Sequence, residues 1–121
     1  MENDNLQQIE EEKDTDLTIS EETLAIIVKM AVTDVEGVAG MSTTLTEELA
    51  EAFGKKSELK GIKVEIGQNS VTVNLSVIMK FGYRIPDVAW HIQEKVRKDI
   101  MAMTEFEVES INVYVQGIDF S

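Results

Sequence analysis

The side chains that could carry out acid–base or metal chemistry are few in this sequence. His91 is the only histidine, and there are no cysteines. One histidine cannot form a histidine-rich metal site, and no serine or carboxylate stands in a recognisable triad pattern with it. Asp87, Glu94 and Asp99 share one predicted helix, where exposed carboxylates usually serve solubility. We therefore expect no catalytic residue, no cofactor and no metal site, and a protein that is not an enzyme.

Two short motifs have known chemical counterparts. Gly37 and Gly40 have the spacing of the GxxG loop with which KH modules clamp a nucleic-acid backbone. Their neighbours are Glu36 and Met41 rather than lysine or arginine, so a turn is the favoured interpretation and a KH-like nucleic-acid binder is an alternative. The three glutamates at positions 10–12 could bind a divalent cation weakly, but an acidic run is more typical of a solvated tail.

The charge of the chain is strongly negative. Its 11 basic and 23 acidic side chains give a net charge of −12, and residues 1–16 hold seven of the acidic residues against one lysine. That stretch is poor in apolar residues, so we predict a disordered acidic tail over residues 1–16 and a single domain over residues 17–121. A negative field repels phosphate backbones and anionic lipids. We therefore expect no direct binding of nucleic acid and no direct membrane insertion.

The elements that must position any site are clearest in the second half of the chain. Apolar residues alternate over 71–79, which predicts a half-buried strand. Apolar residues at spacings of three and four over 85–103 predict a long amphipathic helix, and Pro86 suits its first turn. A long strand that leads into a long helix is typical of a two-layer α/β domain.

The remaining elements follow from the same patterns. Ser20 is a good N-cap for a first helix that ends near Gly37. The sequence then predicts a short strand or connector at 37–41, a short helix at 44–53, a strand at 61–67 that forms an antiparallel hairpin with the 71–79 strand, and a last strand at 108–120. The predicted fold is α/β (α+β, two-layer), with a small, mainly antiparallel sheet of three to four strands covered by two main helices and one short helix. The three long strands are expected to be antiparallel.

Several large side chains lie outside the apolar stripes of the two main helices. On the long helix, Trp90, Arg97 and Met101 fall on the side away from the core stripe, and Ile26 and Met30 do so on the first helix. Tryptophan, arginine and methionine are enriched where proteins contact proteins. These five residues are therefore our candidate protein-interaction residues. The alternative is that the two helices pack side by side and bury them within the domain.

With these elements placed, the sequence resembles the alkaline shock protein family, the Gls-type envelope stress response proteins of Gram-positive bacteria. The matching stretches are residues 19–22, 35–38, 73–77, 82 with 85–88, and 108–117. Together they extend from about residue 17 to residue 120, in the order that the family has. Each stretch consists of turn and core residues, so the set and its order carry the resemblance.

The resemblance implies a small, non-enzymatic protein of cell-envelope homeostasis under alkaline or other stress. It implies a cytoplasmic protein that associates with itself or is recruited to the inner face of the membrane by a membrane-embedded partner. The lack of an apolar run long enough to span a bilayer agrees with that expectation. The family offers no catalytic motif, so no site residue is carried over. A KH-like module and a small regulatory domain for a neighbouring enzyme are the alternative functions.

Overall fold

The computed structural model describes residues 19–42 and 61–121. The predicted acidic tail at 1–16 and the predicted short helix at 44–53 lie outside the described residues. The described elements are helix α1 (Glu21–Thr33), strands β1 (Val38–Met41), β2 (Ile62–Ile66) and β3 (Ser70–Lys80), helix α2 (Ile85–Met103) and strand β4 (Glu107–Asp119). This α+β architecture confirms the predicted fold class.

Local sequence explains where both helices begin. The Ser20 hydroxyl accepts a hydrogen bond from the Thr23 N–H at 3.1 Å, which caps α1, and two glutamates follow in the first turn. In α2, Pro86 occupies the first turn and Asp87 lies at the positive end of the helix dipole. The two helices therefore begin at the positions that the sequence predicts.

Strand β3 is the central strand of the sheet. It pairs with β4 on one side, while β1 and β2 share its other side. The β1 and β2 pairings are antiparallel, so the sheet is mainly antiparallel as predicted. The expectation that the last long strand is also antiparallel is wrong, because β4 runs parallel to β3 with Ser70 opposite Glu107 and Lys80 opposite Asp119. Helix α2 is the crossover that returns the chain to the start of β3, as a parallel pairing requires.

The hydrophobic core lies between the sheet and the two helices. The alternate apolar side chains of β3 are at most 1% exposed, which confirms the predicted inward face. The residues of this row are Val71, Val73, Leu75, Val77 and Met79. The α2 stripe that covers them consists of Val88, Ile92, Val96 and Ile100, all buried. Polar side chains point the other way, and Asn112 Nδ2 donates to Asn74 Oδ1 at 2.9 Å on that face.

Candidate functional site

The outer surface of α2 carries two large apolar side chains in solvent. Trp90 is 56% exposed and Met101 is 57% exposed, with Glu94 and Arg97 between them along the helix. We call these four residues the α2 face. Successive members lie about one turn apart on the side opposite the buried stripe, as helical spacing requires. The alternative of burial between the helices therefore does not apply to Trp90 and Met101.

One flank of the α2 face is hydrogen-bonded to the backbone of strand β4. Gln93 Nε2 donates to the Ile111 carbonyl oxygen at 2.9 Å, and Arg97 Nη1 donates to the Val108 carbonyl oxygen at 3.4 Å. These bonds hold α2 beside the edge of the sheet. Arg97 is half-buried and belongs partly to the fold, so the apolar character of the face rests on Trp90 and Met101.

Helix α1 packs on the other flank of α2. Lys95 Nζ lies 3.9 Å from Asp34 Oδ2 at the end of α1 and 3.5 Å from Asp99 Oδ2 in its own helix. Ile26 and Met30 are exposed on α1. The five predicted interaction residues therefore occupy two surfaces, the α2 face and a pair on α1, with the Lys95 flank between them.

An open groove of about 420 Å³ separates the end of α1 from α2. It is lined by Val35, Glu36, His91, Glu94, Lys95 and Lys98. The imidazole ring of His91 lies edge-on to the Trp90 ring, with centroids 5.2 Å apart. The charged groups of the groove have both signs. Among residues 19–42 and 61–121, no group of three or more histidine, aspartate or glutamate side chains is placed to hold a metal ion.

A second exposed apolar cluster lies where β3 and β4 end, and sequence reasoning missed it. The rings of Phe81 and Phe120 are 5.0 Å apart, and the side chains are 67% and 73% exposed. The Phe81 N–H donates to the Asp119 carbonyl oxygen at 2.9 Å, which brings the two rings together. Only the parallel pairing of β3 with β4 makes these distant residues neighbours, so an antiparallel prediction could not find them.

The GxxG motif does not form the loop that a KH-like site requires. Gly37 lies in the turn after α1 with a φ of +99°, and Gly40 lies within β1, paired with Ile78. A backbone that pairs in a sheet cannot close around a phosphate. The turn interpretation of Gly37 is confirmed, and Gly40 lies in β1, as the predicted short strand at 37–41 requires.

Tyr83 joins the turn after α1 to the turn before α2. Its ring packs over Gly37, and its hydroxyl donates to Glu36 Oε2 at 3.1 Å. This hydrogen bond, together with the repulsion that a phenolate would feel from the carboxylate, raises the pKa of Tyr83 above its ordinary value of 10.0. The contact links the turn after α1 to the turn before α2.

We expect the Tyr83–Glu36 contact to show a dependence on alkaline pH. Because the pKa is higher in the folded state, its contribution to stability is present below pH 10.0 and is lost as the pH rises through the raised value. The test is a titration of tyrosinate absorbance in a Tyr114→Phe background, where Tyr83 is the only tyrosine. Glu36→Gln should lower the measured pKa, and an unchanged pKa in that variant would contradict the assignment.

The fold and the candidate site together define the class of protein. This is a small two-layer α+β domain with a mixed sheet, whose strongest candidate site is a surface on a helix rather than a catalytic cleft. The sequence matches the ASP23 (alkaline shock protein) family, described as having a cell envelope-related function, over residues 9–120. The chain belongs to this family, which confirms the resemblance seen in the sequence.

Named relatives agree with the family assignment. The chain is 33% identical to the uncharacterized protein YqhY of Bacillus subtilis over 84% of its own length and 76% of that protein. It is 25% identical to a stress response regulator gls24 homolog of Streptococcus pyogenes, over 84% of its length and 58% of that protein. No solved structure matches the sequence. The family and these names support a cell envelope-related stress function.

In residues 19–42 and 61–121, neither helix has both the length and the apolar character needed to cross a bilayer. The longer one, α2, carries charged side chains throughout its exposed surface.

Proposed function

We propose that this chain is a non-enzymatic protein of the envelope stress response that acts by binding protein through the α2 face. The partner is either a second copy or a membrane-embedded protein that recruits the chain from the cytoplasm to the inner face of the membrane. The observation that carries the proposal is the exposure of Trp90 and Met101 on a helix whose opposite side is completely buried. The family description supports the envelope part of the proposal.

The physical properties of the α2 face suit protein recognition. Tryptophan and methionine provide large apolar contact areas, and tryptophan is among the residues that contribute most binding energy at interfaces. The hydrogen bonds of Gln93 and Arg97 to β4 hold the helix in place before any partner arrives. A surface that is already ordered loses less entropy on binding.

Replacing both apolar side chains of the face is expected to weaken association without unfolding the domain. The variant Trp90→Ser with Met101→Ser should raise the dissociation constant by about tenfold or more, the usual loss when a central interface side chain is truncated. The measurement is mass by light scattering over a concentration series, with thermal unfolding as the check on folding. For a membrane-embedded partner, the same variant should move the protein from the membrane fraction of cells to the supernatant.

The matched control is Met103→Ser. Met103 is exposed on the same helix but lies outside the α2 face, so its replacement should leave the mass series and the membrane fraction unchanged. Trp90 fluorescence provides a second signal, because association through the face should shift its emission to the blue. If the double variant associated and fractionated like the wild type, the α2 face would not be the interface.

A further inference from the structure

The outer edge of β4 has backbone groups that point away from the sheet. Among the described strands β4 pairs with β3 alone. The Glu107 N–H donates to Asn69 O and the Asp119 oxygen accepts from the Phe81 N–H, so both ends of β4 are bonded towards β3. Along a parallel strand the N–H and C=O groups of successive residues point alternately towards the neighbouring strand and away from it. The alternation is interrupted near residues 109 and 116, where the register with β3 shifts by one residue. The N–H and C=O groups of Ile111, Val113 and Val115 therefore point outward.

Helix α2 already occupies one half of this edge. The outward carbonyls of Val108 and Ile111 accept hydrogen bonds from Arg97 and Gln93. This agrees with the outward phase deduced from the register. In the part of the chain that the structure describes, no side-chain donor bonds to the carbonyls of Val113 or Val115. Among residues 19–42 and 61–121, nothing bonds to the outer side of the stretch from Val113 to Val115, and we call this stretch the β4 edge.

The apolar layer is also incompletely closed beside the β4 edge. At the opposite edge of the sheet, Ile62 and Val64 of β2 are 5% and 6% exposed, and only Ile66 at the end of that strand is half-buried. In contrast, Val113, Val115 and Ile118 are only half-buried although they pack against the core. An additional strand along β4 would cover these side chains and bond to the outward backbone groups together.

The charge beside this edge favours one kind of partner. After Lys98 the sequence has no lysine or arginine, whereas β4 and the turn before it carry carboxylates at Glu105, Glu107, Glu109 and Asp119. Antiparallel pairing with the β4 of a second copy centred on Val113 would place Glu107 opposite Asp119, and like charges directly opposite each other are destabilising. A segment that carries positive charge would be attracted instead.

We infer that the β4 edge binds an extended, positively charged segment of another protein, which adds to the sheet as an additional strand beside the α2 face. Trp90 precedes Gln93 by three residues and Arg97 by seven, so it lies on the flank of α2 that faces this edge. Backbone hydrogen bonds supply affinity in this mode, and contacts with alternate side chains supply selectivity. The inference rests on the proposed function, because it names the class of partner that the α2 face and its neighbouring edge accept.

The test uses a short synthetic peptide of alternating threonine and valine with arginine and lysine at its ends, added to the full chain at low salt. Amide hydrogen exchange is followed residue by residue by NMR. The peptide should slow exchange of the Val113 and Val115 N–H groups by about tenfold or more, as expected for exposed groups that become hydrogen-bonded. The N–H groups of Asn112 and Tyr114 point towards β3, so their exchange rates should change little. The same peptide with its central valine replaced by proline should not protect them.

Three outcomes would overturn the inference. The first is unchanged exchange at Val113 and Val115 with the cationic peptide, and the second is equal protection by a peptide with glutamates at its ends. The third is protection that appears at high protein concentration without peptide, together with a rise in mass, because the occupant would then be a second copy. Amide exchange measures the backbone of β4 directly and does not depend on the α2 face. It therefore still tests this inference if the variant Trp90→Ser with Met101→Ser associates normally and the proposed function fails.

A variant provides independent support. Val115→Pro removes one outward N–H that β3 does not use, a position at which an edge strand tolerates proline. It should abolish protection at Val113 while leaving the β3 pairing intact. Preserved protection in a folded Val115→Pro protein would contradict the added strand, and the wild-type exchange experiment decides the matter if this variant fails to fold.

Discussion

Replacing Gly37 with alanine is expected to destabilise the domain by about 2–5 kcal/mol. The φ of Gly37 is +99°, a conformation that residues with a Cβ adopt at a cost of about 1–2 kcal/mol. A Cβ at this position would also lie 2.7 Å from Val88 Cγ2 and 3.1 Å from Tyr83 Cδ2. Relieving that overlap requires both neighbours to move, and overpacking typically costs about 1–3 kcal/mol. Chemical denaturation measures the change.

The matched control is Gly82→Ala. Gly82 has nearly the same φ, +100°, but beyond its chain neighbours no heavy atom of the described residues lies within 4 Å of a Cβ built there. Its replacement should cost only the backbone strain, about 1–2 kcal/mol. The difference between the two variants therefore measures the close approach at Gly37. If both variants lost the same stability, the contact with Val88 and Tyr83 would not limit the residue at position 37.

This pair of glycines explains much of the family resemblance. Residues 35–38 and residues 82–88 are far apart in sequence, but Tyr83 and Val88 pack over Gly37, and the Lys80 N–H donates to the Gly37 carbonyl oxygen at 2.8 Å. The two stretches form one structural unit at the end of the sheet. Packing and turn geometry therefore account for Gly37, Tyr83 and Val88 in these two stretches.

The sequence predicted the elements better than it predicted their arrangement. Period-two alternation identified the buried row of β3 correctly. The spacing of three and four identified the buried centre of the α2 stripe, whereas Ile85 and Met103 at its two ends are exposed. Alternation is the same in parallel and antiparallel strands, so the pattern of β4 carried no information about its direction. The length of the α2 crossover was the available signal, because a helix between two strands permits parallel pairing.

The residues of the candidate site also divide into those that the sequence could group and those that it could not. Helical periodicity alone placed Trp90 and Met101 on an outer face, where the structure has them. The contact of Arg97 with Val108 and the neighbouring rings of Phe81 and Phe120 depend on the β3–β4 register, which local sequence cannot specify. Side chains on one helix can be grouped from sequence, whereas groups that depend on strand pairing require the fold.

Truncation at two neighbouring positions of α2 is expected to cost very different amounts of folding stability. Ile92→Ala should destabilise the domain by about 2–5 kcal/mol, because Ile92 is fully buried in the hydrophobic core and its loss leaves a cavity. Trp90→Ala removes a larger side chain, yet it should cost about 1 kcal/mol or less, because more than half of that side chain is already in solvent. Urea unfolding of both variants, followed by circular dichroism, measures the two changes.

The comparison separates the folding role of α2 from its binding role. Ile92→Ala should lower the midpoint of unfolding, and a folded fraction of that variant should still associate through an intact Trp90 and Met101. Trp90→Ala should keep the midpoint nearly unchanged and weaken association. A loss of several kcal/mol on Trp90→Ala would mean that the tryptophan supports the fold, and its exposed area would then be incidental. Unequal effects in the expected order would mean that one side of α2 holds the domain together and leaves the other side free to bind.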